Sequence, residues 1–513
     1  FFEEAAKWRG KMSFLKAFGV VSSVTLLSRI LGLLRDLISA YFFGASLLYD
    51  SFLTAFTVPN LLRALFGEGA LNAAVIPVFA EQQKDSERSR EFVASLFGWV
   101  ILVVGAIVVA GVAGALVLNT FLVDEKWRLV LDMFWRMFPF ALFICLVATY
   151  GALLNVKDKF FAPAAAPTLF NSLWIGALLI FGLGLHFDDR SVAIILCYTV
   201  LFSGFVQLSL QMVSARKAGI SPSFSFKRHP SVVRVQRLML PMLFGLALFQ
   251  LNSLADRLIV YAFVPKEGGV VALFYSNRLV QFPLALIGIA AATALFPAAA
   301  KAAKEGNSGK LLWLVRRSVR TIILLALPAS VALILLRNEL ITLLFKRGRF
   351  DEAAVARTSD TLFFYSLGLV FFCLAHIVTR LYYSQERIKP VLFITAICTL
   401  LNLIMNLVLV FHFAEGGVAL ATSISSALNF ILLVFAAGKE ERASIKSGFI
   451  ALIPASLGCV AMVVVIMLLK TVSLPPLTRL ILCVLSGATV YTILLALLKT
   501  EELWYIIRRR KGD

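Results

Sequence analysis

The chain has 513 residues, of which 60% are hydrophobic, and it carries a formal net charge of +20. Only 15% of its residues are charged, against about 25% in soluble domains, which excludes an ordinary soluble fold. Apolar segments of about 20 residues or more recur along its length, and this pattern predicts an all-α polytopic membrane protein rather than a β-barrel. We therefore attribute most of the positive charge to the orientation of the chain in the membrane, and we expect no nucleic-acid partner.

Fourteen membrane spans are predicted. They cover residues 17–43, 47–80, 92–119, 129–154, 162–185, 191–214, 236–263, 270–299, 313–336, 357–382, 389–411, 416–437, 448–470 and 477–498. Placing the N-terminus in the cytoplasm puts 31 Lys and Arg residues in inside segments and 10 in outside segments. The positive-inside rule favours this orientation, and an even number of spans then places both termini in the cytoplasm. The inside charge also predicts attraction to anionic phospholipid headgroups.

The first residues are basic and run directly into the first span. They contain no small-residue cleavage site, so we expect no cleavable signal peptide. Because Phe1 is not a natural start, we expect Met12 to be the initiator.

Six charged residues interrupt the apolar stretch of the first two spans. They are Arg29, Arg35, Asp36, Asp50, Arg63 and Glu68. A charge near the bilayer centre costs roughly 2.5–3.5 kcal/mol on insertion scales, so such residues usually face a protein interior or a wet cavity. Three of them are arginines, and these indicate an anionic passenger.

The second span is too long for a straight transmembrane helix. Its 34 residues, Leu47 to Ala80, would extend about 51 Å at ~1.5 Å per residue, whereas the hydrocarbon core is about 30 Å thick. Pro59, Gly67–Gly69 and Pro77 offer places to kink or unwind. Broken helices are tolerated against protein or a wet cavity, so the helix that carries Arg63 is expected to line the pathway.

The chain divides at its longest inside loop. We predict an N-lobe at 12–215, a cytoplasmic linker at 216–235, a C-lobe at 236–438, a final helix pair at 447–498 and a basic cytoplasmic tail at 499–513. Two short polar turns that end in proline, 155–163 and 383–390, recur in the two lobes and favour an internal repeat, as in transporters that alternate access. The polar segment 345–357 is expected to be an outside interfacial helix or loop.

Three arginines in apolar sequence, Arg29, Arg63 and Arg278, are candidates to hold a phosphate group. Arginine keeps its charge and presents a planar fork of donors that matches phosphate oxygens. The alternative is that each arginine snorkels or pairs with a carboxylate. Asp36 lies two turns after Arg29 on the same face, and it can hold an arginine in place, change partners during a conformational switch or form a static ion pair.

A possible cation site involves Asp256 in the seventh span. Asn402 and Asn406 lie one turn apart in the eleventh span, and Thr422 lies in the twelfth. These oxygen donors suit a hard cation such as sodium. The alternative is that Asp256 pairs with Arg257 or another cation and the asparagines bridge helices. The six cysteines occur singly, and no catalytic motif is found.

Several segments resemble the MurJ (MviN) family. They are Ser28–Asp36, Phe43–Gly44, Asp50–Phe52, Pro59–Arg63, Phe66–Ala70 and Pro77 in the first lobe, and Tyr275–Leu279, Phe282–Pro283 and Leu295–Pro297 in the second. The resemblance covers Met12 to about Leu498. It implies membership of the multidrug/oligosaccharidyl-lipid/polysaccharide flippase superfamily, with fourteen helices in two six-helix lobes plus a final pair.

This resemblance also implies a function and a set of site residues. The family translocates lipid II, the undecaprenyl-diphosphate-linked peptidoglycan precursor, across the bacterial inner membrane. Its essential cavity arginines correspond to Arg29, Arg63 and Arg278, and Arg35, Asp50 and Glu68 match further functionally important positions. We add Asp36 and Asn277 as candidate substrate-site residues. A sodium site of some members corresponds to Asp256, Asn402, Asn406, the Val418 carbonyl and Thr422. The final helix pair is expected to form a groove for the polyprenyl tail.

The chain departs from some members of this family at four positions. Thr57 replaces a lysine, Ala64 an arginine and Asn277 an aspartate, which changes the field of the cavity. Asn406 replaces an aspartate of the sodium site and removes one ligand charge.

The leading prediction is a lipid II flippase that works by alternating access and is driven by the inside-negative potential. Its partners would be lipid II, membrane phospholipids and the machinery of cell-wall synthesis. The alternatives are an exporter of another polyprenyl-linked glycan, a cation-coupled drug antiporter, a membrane enzyme acting on lipid-linked sugars and a scaffold for cell-wall assembly. The antiporter fits poorly because cationic drugs need an acidic cavity, and the enzyme would need a metal site or a nucleophile and base.

Overall fold

The computed structural model describes residues 2–67, 70–83, 85–220 and 223–500, and within these ranges all regular secondary structure is helical. The α-helices are α1 Phe2–Phe43, α2 Leu47–Leu62, α3 Ala70–Gln82, α4 Ser86–Phe121, α5 Glu125–Met137, α6 Phe140–Val156, α7 Phe161–Ala177, α8 Asp189–Lys217, α9 Pro230–Phe263, α10 Gly269–Pro283, α11 Ala290–Lys304, α12 Ser308–Phe345, α13 Glu352–Ser384, α14 Ile388–Ala436, α15 Lys439–Gly448, α16 Leu452–Lys470 and α17 Pro476–Leu497. A short 3₁₀ turn, Phe449–Ala451, joins α15 to α16.

Most of these helices are long and apolar enough to cross a membrane. In the described part of the chain eleven helices meet this criterion, or twelve if α5 and α6, bent by 41°, form one span. The chain is therefore an all-helical, multi-span membrane protein. The number of fourteen spans stays a prediction. One source of the difference is α14, which is 49 residues long and contains a non-helical residue, Ala414.

In the described residues, π-helical segments interrupt two long helices and end a third. Arg63–Gly67 separates α2 from α3, Leu284–Ile289 separates α10 from α11, and Leu178–Gly184 follows α7. The first of these lies in the second predicted span, between the prolines that were expected to kink it. A π turn inserts an extra residue into the helical ladder and often marks a functional position.

The two halves of the chain share local features at corresponding places. The turn between α6 and α7 contains Asp158 with φ 57°, and the turn between α13 and α14 contains Glu386 with φ 60°. About one helix later, His186 has φ 52° and Ala414 has φ 48°. Because a positive φ is uncommon for residues other than glycine, their recurrence agrees with the expected internal repeat.

The chain forms two compact units. The first contains Phe1–Leu254 together with Arg347–Arg349, and the second contains Ala255–Lys346 and Phe350–Asp513. The division falls inside α9, and the predicted linker, 216–235, lies in the first unit. In the first unit part of that linker is fixed to α4, where Ser225 N donates to Ala94 O at 3.0 Å and Ser95 Oγ donates to Lys227 O at 2.7 Å.

The segment 345–357, expected to be an interfacial helix or loop, contains both kinds of structure. Only Lys346–Asp351 lies outside regular helix, because α13 already begins at Glu352. The Asp351 side chain caps this helix by accepting a hydrogen bond from Ala354 N at 2.8 Å. Arg357 therefore lies in the second turn of a long helix.

Candidate functional site

The candidate phosphate-binding arginines are distributed over both units. Arg29 lies on α1 and is exposed, and Arg63 is half-buried at the first residue of the π segment. The Arg63 Nε donates to Asn60 Oδ1 at 2.9 Å, which orients the guanidinium from one turn away. Arg278 belongs to the second unit, where it is exposed on α10.

Arg35 and Asp36 form a buried network between α1 and α7. Arg35 Nε and Nη2 donate to Asp36 Oδ1 at 3.0 and 2.6 Å, and Asp36 is only 1% exposed. Arg35 Nη1 donates to Asn171 Oδ1 at 3.3 Å, and the guanidinium lies 5.0 Å from the ring centre of Trp174. Asp36 thus engages the neighbouring Arg35, although the helical spacing placed it on the face of Arg29.

Asn171 is a residue that the sequence analysis missed. Its amide is 6% exposed, and besides binding Arg35 it donates from Nδ2 to Ser28 O at 3.1 Å. Ser28 directly precedes Arg29, so Asn171 connects the backbone at one candidate arginine to the side chain of another. The sequence could have indicated Asn171 as a site residue, because it is a polar residue within the apolar helix α7.

Of the two acids in the second predicted span, the structure describes only Asp50. Asp50 is 4% exposed in the first turn of α2, just after the N-cap Ser46, whose Oγ accepts a hydrogen bond from Tyr49 N at 3.4 Å. Glu68 lies outside the described residues. In the second unit, Asn277 is half-buried beside Arg278, and Gln281 Nε2 donates to its Oδ1 at 2.6 Å.

All five candidate sodium-site residues lie in one cluster of the second unit. Asn406 Nδ2 donates to Asp256 Oδ1 at 2.6 Å and to Asn402 Oδ1 at 3.0 Å. Asn402 Nδ2 lies 3.5 Å from Thr422 Oγ1, which in turn donates to Val418 O at 3.0 Å. Asp256, Asn402 and Asn406 are at most 7% exposed.

The chemistry of this cluster suits a small hard cation. It combines one carboxylate with amide, hydroxyl and main-chain oxygens, the ligands that such ions prefer. Within the described chain, Asn406 Oδ1 is buried and has no hydrogen-bond partner. A buried amide oxygen without a partner is costly, and a bound cation would satisfy it. No group of three His, Cys, Asp or Glu side chains that could hold a metal ion occurs among the residues described.

An apolar groove lies along the final helix pair of the second unit. It has a volume of about 370 Å³ and is lined by α12, α16 and α17. On α12 its lining extends from Thr321 to Leu336, which corresponds to about 22 Å at ~1.5 Å per residue. Small residues such as Gly487 and Ala488 keep it open on the α17 side. Its length and apolar lining match an extended hydrocarbon chain.

A protein-family model matches most of the chain. The model of the family "Lipid II flippase MurJ" matches residues 39–485. Among curated proteins, the probable lipid II flippase MurJ of Vibrio cholerae is 33% identical over 82% of this chain and 82% of its own length. The lipid II flippase MurJ of Burkholderia cenocepacia is 31% identical over 82% of this chain and 83% of its own.

Solved structures give a consistent result. A lipid II flippase MurJ in an inward closed conformation superposes with a TM-score of 0.78 and 26% identity, covering 93% of this chain and 98% of that one. An inward-facing multidrug resistance transporter of the MATE family gives a TM-score of 0.66 at 16% identity, covering 84% of this chain and 98% of its own. The second likeness concerns the fold alone.

Proposed function

The chain belongs to the lipid II flippase MurJ family, whose members are transporters and not enzymes, and we propose that it moves lipid II from the cytoplasmic to the outer leaflet of the bacterial inner membrane. The observation that carries this proposal is the family match over residues 39–485, which includes Arg63, Arg278 and the whole cation cluster. The proposed role in the cell is the supply of precursor for peptidoglycan synthesis.

In this proposal Arg29, Arg63 and Arg278 bind the diphosphate of the substrate. Each guanidinium offers several donors at fixed angles, and charge-assisted hydrogen bonds to phosphate are roughly twice as strong as neutral ones. Support comes from the setting of Arg63, which begins a π segment and is oriented by Asn60. Transport is proposed to proceed by alternating access of the N-lobe, 12–215, and the C-lobe, 236–438.

The acidic and amide residues are proposed to position these arginines. The network of Arg35, Asp36 and Asn171 supports this role, because it joins α1 to α7 next to Arg29. Asn277 is proposed to act in the same way beside Arg278, and Asp50 and Glu68 are proposed to contribute at their own positions in the second span.

The groove of α12, α16 and α17 is proposed to hold part of the polyprenyl tail. Support comes from its apolar lining and from its length of about 22 Å. A tail held there would stay in a hydrocarbon-like environment while the headgroup moves.

We further propose that the cluster of Asp256, Asn402, Asn406, Val418 and Thr422 binds a sodium ion. The ion would supply a positive charge that offsets the buried carboxylate of Asp256. The support is the set of oxygen donors and the unsatisfied Asn406 Oδ1. Asn406 bridges Asp256 and Asn402 through its amide protons, which brings the donor residues together.

The full topology is proposed to have fourteen spans with both termini in the cytoplasm. Eleven helices qualify alone, the bent pair α5 and α6 forms another span, Ala414 divides α14 into two, and α1 supplies the first. The inside-negative potential would then assist outward movement of an anionic substrate, at about 2.3 kcal/mol per charge per 100 mV.

The test is a flipping assay with the full chain in liposomes. Labelled lipid II is reconstituted with and without an imposed potential, and the label in the outer leaflet is quenched. We expect transport by the wild type and a loss of at least tenfold in Arg63→Ala. Arg234→Ala, in an exposed ion pair of the same unit, is the matched control. Equal rates with and without protein would refute the proposal.

A further inference from the structure

The two halves of α14 are joined by a tight turn around Ala414. This residue has φ 48° and ψ −133°, a conformation that is strained for any residue with a side chain. Gly417 follows in close contact with the preceding helix, since a Cβ atom there would lie only 2.1 Å from Leu409 O. The turn therefore requires a surrounding structure that holds it.

One buried ion pair holds this turn. Glu415 is 4% exposed and is bound by Arg357 of α13 through two parallel hydrogen bonds, Nε to Oε1 at 2.7 Å and Nη2 to Oε2 at 2.9 Å. The same guanidinium donates from Nη1 to the main-chain oxygen of Glu267, in the turn between α9 and α10. Arg357 thus joins three segments that are distant in sequence. A forked arginine contact fixes orientation as well as distance.

These three segments lead directly to the proposed cation site. Val418, whose carbonyl is a candidate ligand, follows Glu415 by three residues, and Thr422 follows it by seven. Asp256 lies on α9, whose last turns precede the Glu267 contact. A displacement of the Glu415 turn would therefore move Val418 and Thr422 relative to Asp256.

We propose that Arg357 and Glu415 are a positioning pair for the cation site, an inference that rests on the sodium binding in the proposed function. Neither side chain is among the five candidate ligands. Their role is to hold the Val418 carbonyl and the Thr422 hydroxyl at the distance from Asp256 and Asn406 that one ion requires. Partners that orient the ligands of a metal typically contribute 10- to 100-fold to its affinity.

The test measures sodium binding without transport. The purified full chain in detergent is unfolded by heat over a series of sodium chloride concentrations, with choline chloride keeping ionic strength constant. The sodium concentration that gives half of the stabilisation is compared among variants. We expect Arg357→Gln to raise this concentration about 10-fold or more, because Glu415 loses its fork. The exchanged pair Arg357→Glu with Glu415→Arg should recover part of the loss.

Two controls separate positioning from general stability. Lys470→Gln breaks the ion pair of Lys470 with Glu339 in the same unit, at 2.8 Å, and should lower the unfolding temperature without changing the sodium midpoint. Asp256→Asn should abolish the sodium response. If Arg357→Gln does not fold, Arg357→Lys, which keeps the charge but loses the fork, takes its place.

The outcomes are distinguishable. A wild-type sodium midpoint in a folded Arg357→Gln or Arg357→Lys overturns the positioning role while leaving the cation site intact. A wild type whose stability does not depend on sodium, or an Asp256→Asn variant that responds like the wild type, refutes sodium binding at this site and the inference with it.

Discussion

Asn406→Asp is the substitution that tests the charge of the cation site most directly. In the present structure Asn406 Nδ2 lies 2.6 Å from Asp256 Oδ1, so a carboxylate at position 406 would place two negative charges roughly 4 Å apart. At an effective dielectric constant of about 20 this repulsion is about 4 kcal/mol. A monovalent cation between the two groups would offset it. Because about 1.4 kcal/mol corresponds to a factor of ten, the affinity for sodium should rise at least tenfold, with a ceiling of about 1,000-fold.

The assay is thermal unfolding of the purified protein in sodium chloride against choline chloride. We expect the variant to be less stable than the wild type without sodium and to reach half of its stabilisation at a lower sodium concentration. Asn338→Asp introduces the same charge at an exposed position of α12 and should leave the sodium midpoint unchanged. A midpoint for Asn406→Asp that equals or exceeds that of the wild type would show that the Asn406 side chain does not face a bound cation.

Three further predictions concern the remaining parts of the proposed site. Arg63→Ala and Arg278→Ala should each abolish growth of a flippase-depleted strain although the protein reaches the membrane, and normal growth would contradict their role in binding diphosphate. Asn171→Leu should lower the free energy of unfolding in mixed micelles by about 1–3 kcal/mol, from two hydrogen bonds at ~0.5–1.5 kcal/mol each, and by less when Arg35→Ala is already present. Strict additivity of these two changes would argue against the network. Ala488→Trp, which fills the groove, should slow flipping of lipid II with a full polyprenyl tail and spare a short-tailed analogue; equal inhibition of both would exclude the groove as the tail site.

The sequence alone was sufficient for the all-helical, multi-span architecture and for local parts of the site. Long apolar runs predict spans because the bilayer requires every backbone polar group to be bonded within a helix. Asn402 and Asn406 were placed on one face by their spacing, and their hydrogen bond of 3.0 Å confirms this. The grouping with Asp256, 150 residues away, was proposed from the donor types and was also implied by resemblance to known proteins, since helical periodicity gives no information about which helices pack together.

Other features had no usable signal in the sequence. Arg35 was assigned to the substrate site, whereas its structural partner Asn171 lies 136 residues away on another helix. Ala414 has a positive φ that nothing in the residue type indicates, because alanine is the best helix former. Arg357 was placed in an interfacial segment by its local polarity, although its charge is matched by Glu415, 58 residues later. In each case a tertiary contact decides the outcome.

The proposed cation site also determines how two driving forces would combine. Asp256 is the one acid among its five candidate residues, because position 406 is an asparagine. With one sodium ion bound the site is electrically neutral, so its change of exposure carries no net charge through the membrane field. The potential, at about 2.3 kcal/mol per charge per 100 mV, would then act mainly on the arginines and the diphosphate.

In the wild type, reorientation of the sodium-loaded site should therefore be insensitive to the potential. In Asn406→Asp the loaded site keeps one negative charge, so the flipping rate at saturating sodium should depend more steeply on the imposed potential. Liposomes in which a potassium gradient sets the potential provide the measurement at saturating sodium. An equal dependence on potential in the wild type and in Asn406→Asp would mean that the two loaded sites carry the same charge, contrary to one carboxylate binding one monovalent ion in the wild type.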